Sequence, residues 1–179
     1  MLFRSQIRVA DQDRIFLVHI PVGYEPGTPV PLVFNLHGAG SNAMAQESVS
    51  RLFRKADQEG FVVVAPQASE PGRVWLGVYL DELGDPDMEF LSALLNELQQ
   101  QLDLDPNRIY ATGLSNGGTM ANRLGCDLPE FFAAIAPVAG AHSGLHLCEV
   151  SEPVSVLAIH GTDDLMIPYE GNEIGRAHV

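Results

Sequence analysis

No run of apolar residues in this chain is long enough to cross a membrane; the longest, around FVVVAP, is strand-sized. The opening MLFRSQIRVADQDRIFLVHIP lacks the basic stretch and apolar stretch that together make a signal peptide. Basic residues are scarce, 10 Lys and Arg against 23 Asp and Glu, and they form no cluster. The net charge of −13 therefore excludes a nucleic-acid partner, because phosphate backbones reward clustered cations, and it reads as solubility. Two cysteines, Cys126 and Cys148, are too few for a disulfide scaffold but enough for one bridge. The six histidines and two cysteines show no metal-ligand spacing, and no glycine-rich stretch matches a dinucleotide or Walker A loop. No metal and no cofactor is expected. There is no internal repeat and no low-complexity tract, so 179 residues imply one globular domain.

What is present alternates regularly. RSQIRVA and RIFLVHIP flank the turn-like DQD and predict an antiparallel hairpin. LVFNLHGAG predicts a buried strand, residues 45–59 a helix closed by Gly60, and FVVVAP another buried strand. After an irregular segment holding the single tryptophan, Asp85 and Pro86 open a helix. Its stripe is Phe90, Leu91, Leu94, Leu95, Leu98 and Leu102. RIYATGLS predicts a strand, NGGTMANRLGCDLP a helix, and FAAIAPVAG and VSVLAIHG two more strands. A leading hairpin followed by strand–helix alternation predicts an α/β fold with a mostly parallel sheet, whose sites lie at the carboxyl ends of the strands.

The candidate motifs fall at those ends. Gly113-Leu114-Ser115-Asn116-Gly117, with Gly118 behind, follows a strand and opens a helix, the context of a nucleophile elbow. Ser115 is the candidate nucleophile, and the flanking glycines leave room for a tight turn. An oxyanion hole in such a fold uses the backbone N–H after the nucleophile, here Asn116, and one from LHGAG, where Ala39 is the expected donor and Gly40 the alternative. His37 precedes that loop and reads as structural. In IHGTDDLMIPY, after the elbow, Asp164 is the candidate acid of a triad, with Asp163 as alternative, and His160 reads as structural.

Taken in order, LVFNLHGAG, GFVVVAPQ, RIYATGLSNGGTMANRL, FAAIAPVAG and HGTDDLMIPY resemble the polyhydroxybutyrate depolymerase and feruloyl esterase group of α/β hydrolases, over residues 13–172. The resemblance implies hydrolysis of carboxylic esters through an acyl-enzyme without a cofactor, with Ser115 as nucleophile, Asp164 as acid, and Asn116 and the HGAG loop as oxyanion hole. A peptidase or thioesterase on the same fold, or a non-catalytic relative, is the alternative. It implies that Trp75 flanks the substrate cleft, a packing role being the alternative, and that Cys126 and Cys148 pair. Such a bridge points to a secreted or periplasmic protein, with a cytoplasmic one as alternative. Oligomeric state is not indicated.

The resemblance also implies a helix, a strand and a catalytic histidine beyond the acid, yet only fifteen residues follow Asp164. IGRAHV is what ATC GGA AGA GCA CAC GTC encodes, a string that resembles a common sequencing-adapter read with a stop codon next. The expectation is therefore a domain over residues 1–173 lacking its last strand and helix, with residues 174–179 derived from an adapter. His178 is not expected to complete the triad, and the chain by itself is expected to be nearly inactive.

Overall fold

Side chains alternate along the second strand in a way that sets the layers of the molecule. A computed structural model describes residues 1–76, 85–141, 148 and 152–171. In it the strands are β1 (Leu2–Val9), β2 (Gln12–His19), β3 (Val30–Leu36), β4 (Val62–Pro66), β5 (Leu104–Leu114), β6 (Ala134–Val138) and β7 (Ser155–Val156). The helices are α1 (Ala43–Ser50), α2 (Leu52–Glu59), α3 (Pro86–Gln101) and α4 (Asn116–Asp127). Phe16 and Val18 of β2 enter a large core cluster with Phe34, Phe90, Leu94 and Met120. Leu17 between them joins Ala43 and Ala65 in a smaller cluster, against which Phe53 packs. The period of two thus puts α3 and α4 on one face of the sheet and α1 and α2 on the other.

All seven strands form one sheet in the order β1-β2-β4-β3-β5-β6-β7. The hairpin β1–β2 joins antiparallel to β4, and every other pairing is parallel. β3 and β5 lie at the centre, so the loops after them meet at one end of the sheet, where an α/β fold keeps its site. Helix α3 starts as its residues predict: Asp85 Oδ1 accepts the Met88 N–H at 3.0 Å and Pro86 occupies the first turn. Its stripe from Phe90 to Leu98 is buried.

Two expectations need correction. The helix expected over 45–59 is two helices, because Arg51 adopts φ 56° and ψ 28°. The corner is held by side chains. Glu47 Oε1 accepts the Phe53 N–H at 3.0 Å, and Asn35 Nδ2 donates to Ser50 Oγ at 2.9 Å. The corner brings Phe53 face to face with His19, ring centroids 4.9 Å apart. The strand expected in VSVLAIHG pairs over only Ser155 and Val156, with a single further bridge from Ile159 to Val138.

The hairpin is tied to α3 by an internal ion pair. Arg14 Nη2 lies 2.6 Å from Asp87 Oδ1 with both side chains almost fully buried, and the guanidinium sits 4.1 Å over the Phe90 ring. Asp87 Oδ2 accepts the Leu76 N–H at 2.7 Å, so the pair also pins the segment leading away from Trp75. Near the end of α4, Cys126 is bonded to Cys148, with Cα atoms 5.5 Å apart. Among the described residues, no helix is long and apolar enough to cross a membrane.

Candidate active site

The turn from β5 into α4 is built by what its glycines lack. A Cβ on Gly113 would stand 2.4 Å from Gly117 O, and one on Gly117 would stand 2.3 Å from Leu36 O. Both contacts are shorter than any side chain tolerates, so only glycine lets the start of α4 press against the ends of β3 and β5. Between them Ser115 adopts φ 56° and ψ −121°, a conformation that costs a non-glycine residue about 1–3 kcal/mol. Neighbours hold it there: the Ser115 N–H donates to Val138 O of β6 at 2.8 Å, and the Ser115 carbonyl accepts the Thr119 N–H at 2.9 Å. The side chain is partly exposed at the first turn of a helix, where negative charge is favoured.

The loop after β3 comes alongside. A Cβ on Gly38 would lie 3.6 Å from Ser115 Cβ and 3.2 Å from Leu114 O, so His37-Gly38-Ala39 passes next to the serine. Gly40 donates its N–H to Arg73 O at 3.1 Å, whereas the Ala39 N–H has no partner among the described residues. As the first residue of α4, Asn116 has an N–H with no carbonyl inside the helix to receive it. Two uncommitted amide donors therefore flank the serine, as an oxyanion hole requires.

Buried side chains fix both donors. Asn116 Oδ1 accepts the Trp75 N–H at 2.8 Å, and Asn116 Nδ2 donates to Trp75 O at 3.3 Å. Trp75 is fully buried, and its indole N–H donates to His37 O at 2.8 Å. An indole with no exposed face cannot wall a cleft, so Trp75 here takes the packing role rather than the substrate-flanking one. His37 is equally committed. Its Nε2 accepts the Ala68 N–H at 3.0 Å, so the proton resides on Nδ1, which donates to Gly38 O at 2.8 Å. Burial lowers the His37 pKa from its ordinary 6.5, which keeps the ring neutral. His37 thus braces the loop and has no free nitrogen for catalysis.

The acidic loop is reached through β6. The strand residue that holds Ser115, Val138, bridges Ile159, and Ala139 N–H donates to Ile159 O at 2.8 Å. Five residues later Asp164 Oδ1 accepts the N–H groups of Met166 and Ile167, each at 2.9 Å. Those two bonds, with a smaller contribution from His160, lower the Asp164 pKa and keep it a carboxylate. Oδ2 lies 3.6 Å from His160 Nε2, which donates to Ile167 O at 2.7 Å. His160 therefore buttresses the loop. Asp163 is exposed and no hydrogen bond holds its carboxylate among the described residues, so the geometry favours Asp164 of the two.

His178 and residues 174–179 lie outside the described residues. Among the described residues, no three His, Cys, Asp or Glu side chains group closely enough to hold a metal ion. The sequence did not single out the Asn116 side chain or the Arg73 carbonyl, because each acts on a partner 33 or more residues away.

Comparisons with known proteins bear on the family and the fold. The chain is 33% identical over 174 residues to a putative esterase, NocK, of Nocardia uniformis subsp. tsuyamanensis, covering 93% of this chain and 49% of that protein. It is 30% identical over 165 residues to feruloyl esterase B of Piromyces equi, covering 88% of this chain and 30% of that protein. The chain thus spans about half or less of the length of these relatives. A crystal structure of a thermostable esterase superposes with a TM-score of 0.75 at 24% identity, over 97% of this chain and 50% of that one, which shows the α/β-hydrolase fold. The profile of the family described as Esterase PHB depolymerase matches residues 16–164, from the second strand through the candidate acid, and the chain belongs to that family.

Proposed function

We propose that this chain carries the nucleophile, oxyanion donors and acid of a serine esterase that works through an acyl-enzyme. The observation that carries the reading is the forced backbone of Ser115 with the uncommitted amides of Asn116 and Ala39 on either side. Ser115 Oγ adds to the ester carbonyl and its proton passes to a histidine. The two amides hold the oxyanion as the C–O bond breaks, and the alcohol leaves with the proton. Water then attacks the acyl-enzyme by the same route and frees the acid. Asp164 Oδ2 is the oxygen left to orient the imidazole, since Oδ1 is held by the turn. We take the base to be a further histidine: both ring nitrogens of His37 are hydrogen-bonded, His19 Nε2 is paired with Asp57 rather than Asp164, and His160 Nε2 donates to Ile167 O. Feruloyl, hydroxyalkanoate or related carboxylic esters are the substrates, and the Cys126–Cys148 bond supports an exported setting.

A fluorophosphonate probe followed by peptide mass spectrometry tests this. Even without a base, an oxyanion hole retains about 10³–10⁴ of rate over water, so Ser115 is expected to react ahead of every other serine. Reaction at another serine first, or labelling undiminished in Ser115→Ala, removes the reading.

A further inference from the structure

The outermost strand on the hairpin side of the sheet, β1, has one flank bare. Ile20 N–H donates to Met1 O at 2.9 Å, so Met1 and Ile20 form a hydrogen-bonded pair, and the unbroken register with β2 alternates from there. Phe3, Ser5, Ile7 and Val9 therefore turn their backbone N–H and C=O groups toward β2. Those of Leu2, Arg4, Gln6 and Arg8 point away from it and have no partner among the described residues. Such a row is a template for another strand. β1 has no proline, no bulge and no lysine to prevent pairing, and its Leu2 and Phe3 are large apolar side chains left exposed.

An edge of this kind meets its own copy antiparallel about a two-fold axis. The outward groups belong to even-numbered residues, so even positions face even and odd positions face odd. Arg4 and Arg8 then decide the register, because like charges directly opposite one another are unfavourable. Arg4 opposite Arg4, or Arg4 opposite Arg8, is excluded. The ladder that avoids both over most of the strand sets Leu2 opposite Arg8, Phe3 opposite Ile7, Arg4 opposite Gln6 and Ser5 opposite itself. Registers that slide further overlap over less of β1.

This ladder also matches the side chains. Phe3 and Ile7 fall in non-hydrogen-bonded positions, where opposed side chains are closest, and on the face where Ile7 already packs against the main core. On the other face Arg4, which has no ion pair among the described residues, meets the uncommitted amide oxygen of Gln6. Like charges come no nearer than one diagonal, about 7–8 Å.

We propose that two copies of this chain pair through β1 in this register, joining their sheets into one. The pairing does not depend on the esterase reading.

Sedimentation velocity over a concentration series tests it. The edge contact is small, so a reversible dimer is expected with a Kd of about 10–100 μM. It is expected to tighten about threefold from low to moderate salt, because each copy carries a charge of −13. Gln6→Arg sets arginine against arginine in both copies and is expected to weaken the dimer about tenfold. Adding Arg4→Gln again sets arginine against glutamine and is expected to restore the affinity to within about twofold of wild type. The double variant has the composition of the wild type, so its recovery separates register from folding. The chain's two cysteines are already bonded to each other, so Ser5→Cys introduces the one free thiol. Under mild oxidation Ser5→Cys is expected to give a disulfide-linked dimer, whereas Arg4→Cys and Gln6→Cys, which mark the neighbouring registers, are not. A chain that stays monomeric up to about 0.5 mM overturns the proposal. So does a dimer untouched by Gln6→Arg, a double variant no tighter than the single one, or crosslinking through position 4 or 6 rather than 5.

Discussion

Asn116 and Trp75 are paired in both directions, side-chain oxygen to backbone N–H at 2.8 Å and side-chain NH₂ to backbone carbonyl at 3.3 Å. The residue proposed to offer one oxyanion donor from its backbone thus uses its side chain to hold the segment that fixes the other candidate. Trp75 reaches His37 through its indole, and Arg73, two residues before it, holds Gly40.

Asn116→Ala therefore leaves the buried Trp75 N–H without a partner. The expected loss is about 1–3 kcal/mol of stability, read from urea denaturation. Thermal denaturation at several urea concentrations is expected to give the same ranking against wild type.

Ser115 holds a backbone conformation that suits glycine. Ser115→Gly and Ser115→Ala both remove the hydroxyl, but only glycine relieves the strain at φ 56°. The glycine variant is expected to be more stable than the alanine variant by about 1 kcal/mol, the strain relieved less the entropy that glycine loses on folding. Equal stability would show that the elbow is not strained.

Gly117→Ala places a methyl 2.3 Å from Leu36 O and 2.5 Å from His37 O, both backbone atoms. Neither can move without displacing β3 from the oxyanion loop, so a loss of at least about 3 kcal/mol is expected. Gly72→Ala, whose methyl would meet only Val74 Cγ2 at 3.6 Å, is expected to change stability by less than about 0.5 kcal/mol. Parallel chemical denaturation of the two variants checks the contrast.

The His37 pKa is lowered by burial from 6.5, so below that pH the unfolded chain takes up a proton that the native chain refuses. Stability contributed by neutral His37 is complete above pH 6.5 and falls as pH drops from there toward the lowered native value. His37→Gln does not titrate. The stability difference between wild type and this variant is expected to shrink between pH 7.5 and 5.5 in denaturation curves. A difference independent of pH would place a charged imidazole in the native loop.

Much of the site was legible because its chemistry is local. The strand–turn–helix around Ser115 and the cap and stripe of α3 each involve residues within a few positions of one another, where spacing alone sets geometry. The break at Arg51 was not legible, since helix periodicity runs through it. The corner depends on Glu47 reaching the Phe53 N–H and on Ser50 meeting Asn35 of a different element. Trp75 was ambiguous for the same reason: its environment is set by His37 and Asn116, 38 and 41 residues away. LHGAG by itself favours Ala39 over Gly40 as donor; the Arg73 carbonyl that takes the Gly40 N–H adds a reason that no pattern within LHGAG contains.

The two ends of the candidate triad rest on unequal foundations. Ser115 follows a strand paired over five consecutive positions to β6 and over five in unbroken register to β3. Asp164 follows a strand that pairs at two positions and one bridge, with Val156, Leu157 and Ile159 at least half exposed. Amide hydrogen exchange will therefore be slow through β5 and fast through residues 155–159, because local opening costs least where the ladder is shortest. The candidate nucleophile stands in the part of the molecule expected to open last, and the candidate acid hangs from the part expected to open first, so any strand laid along that edge would sharpen the aim of Asp164 without touching Ser115.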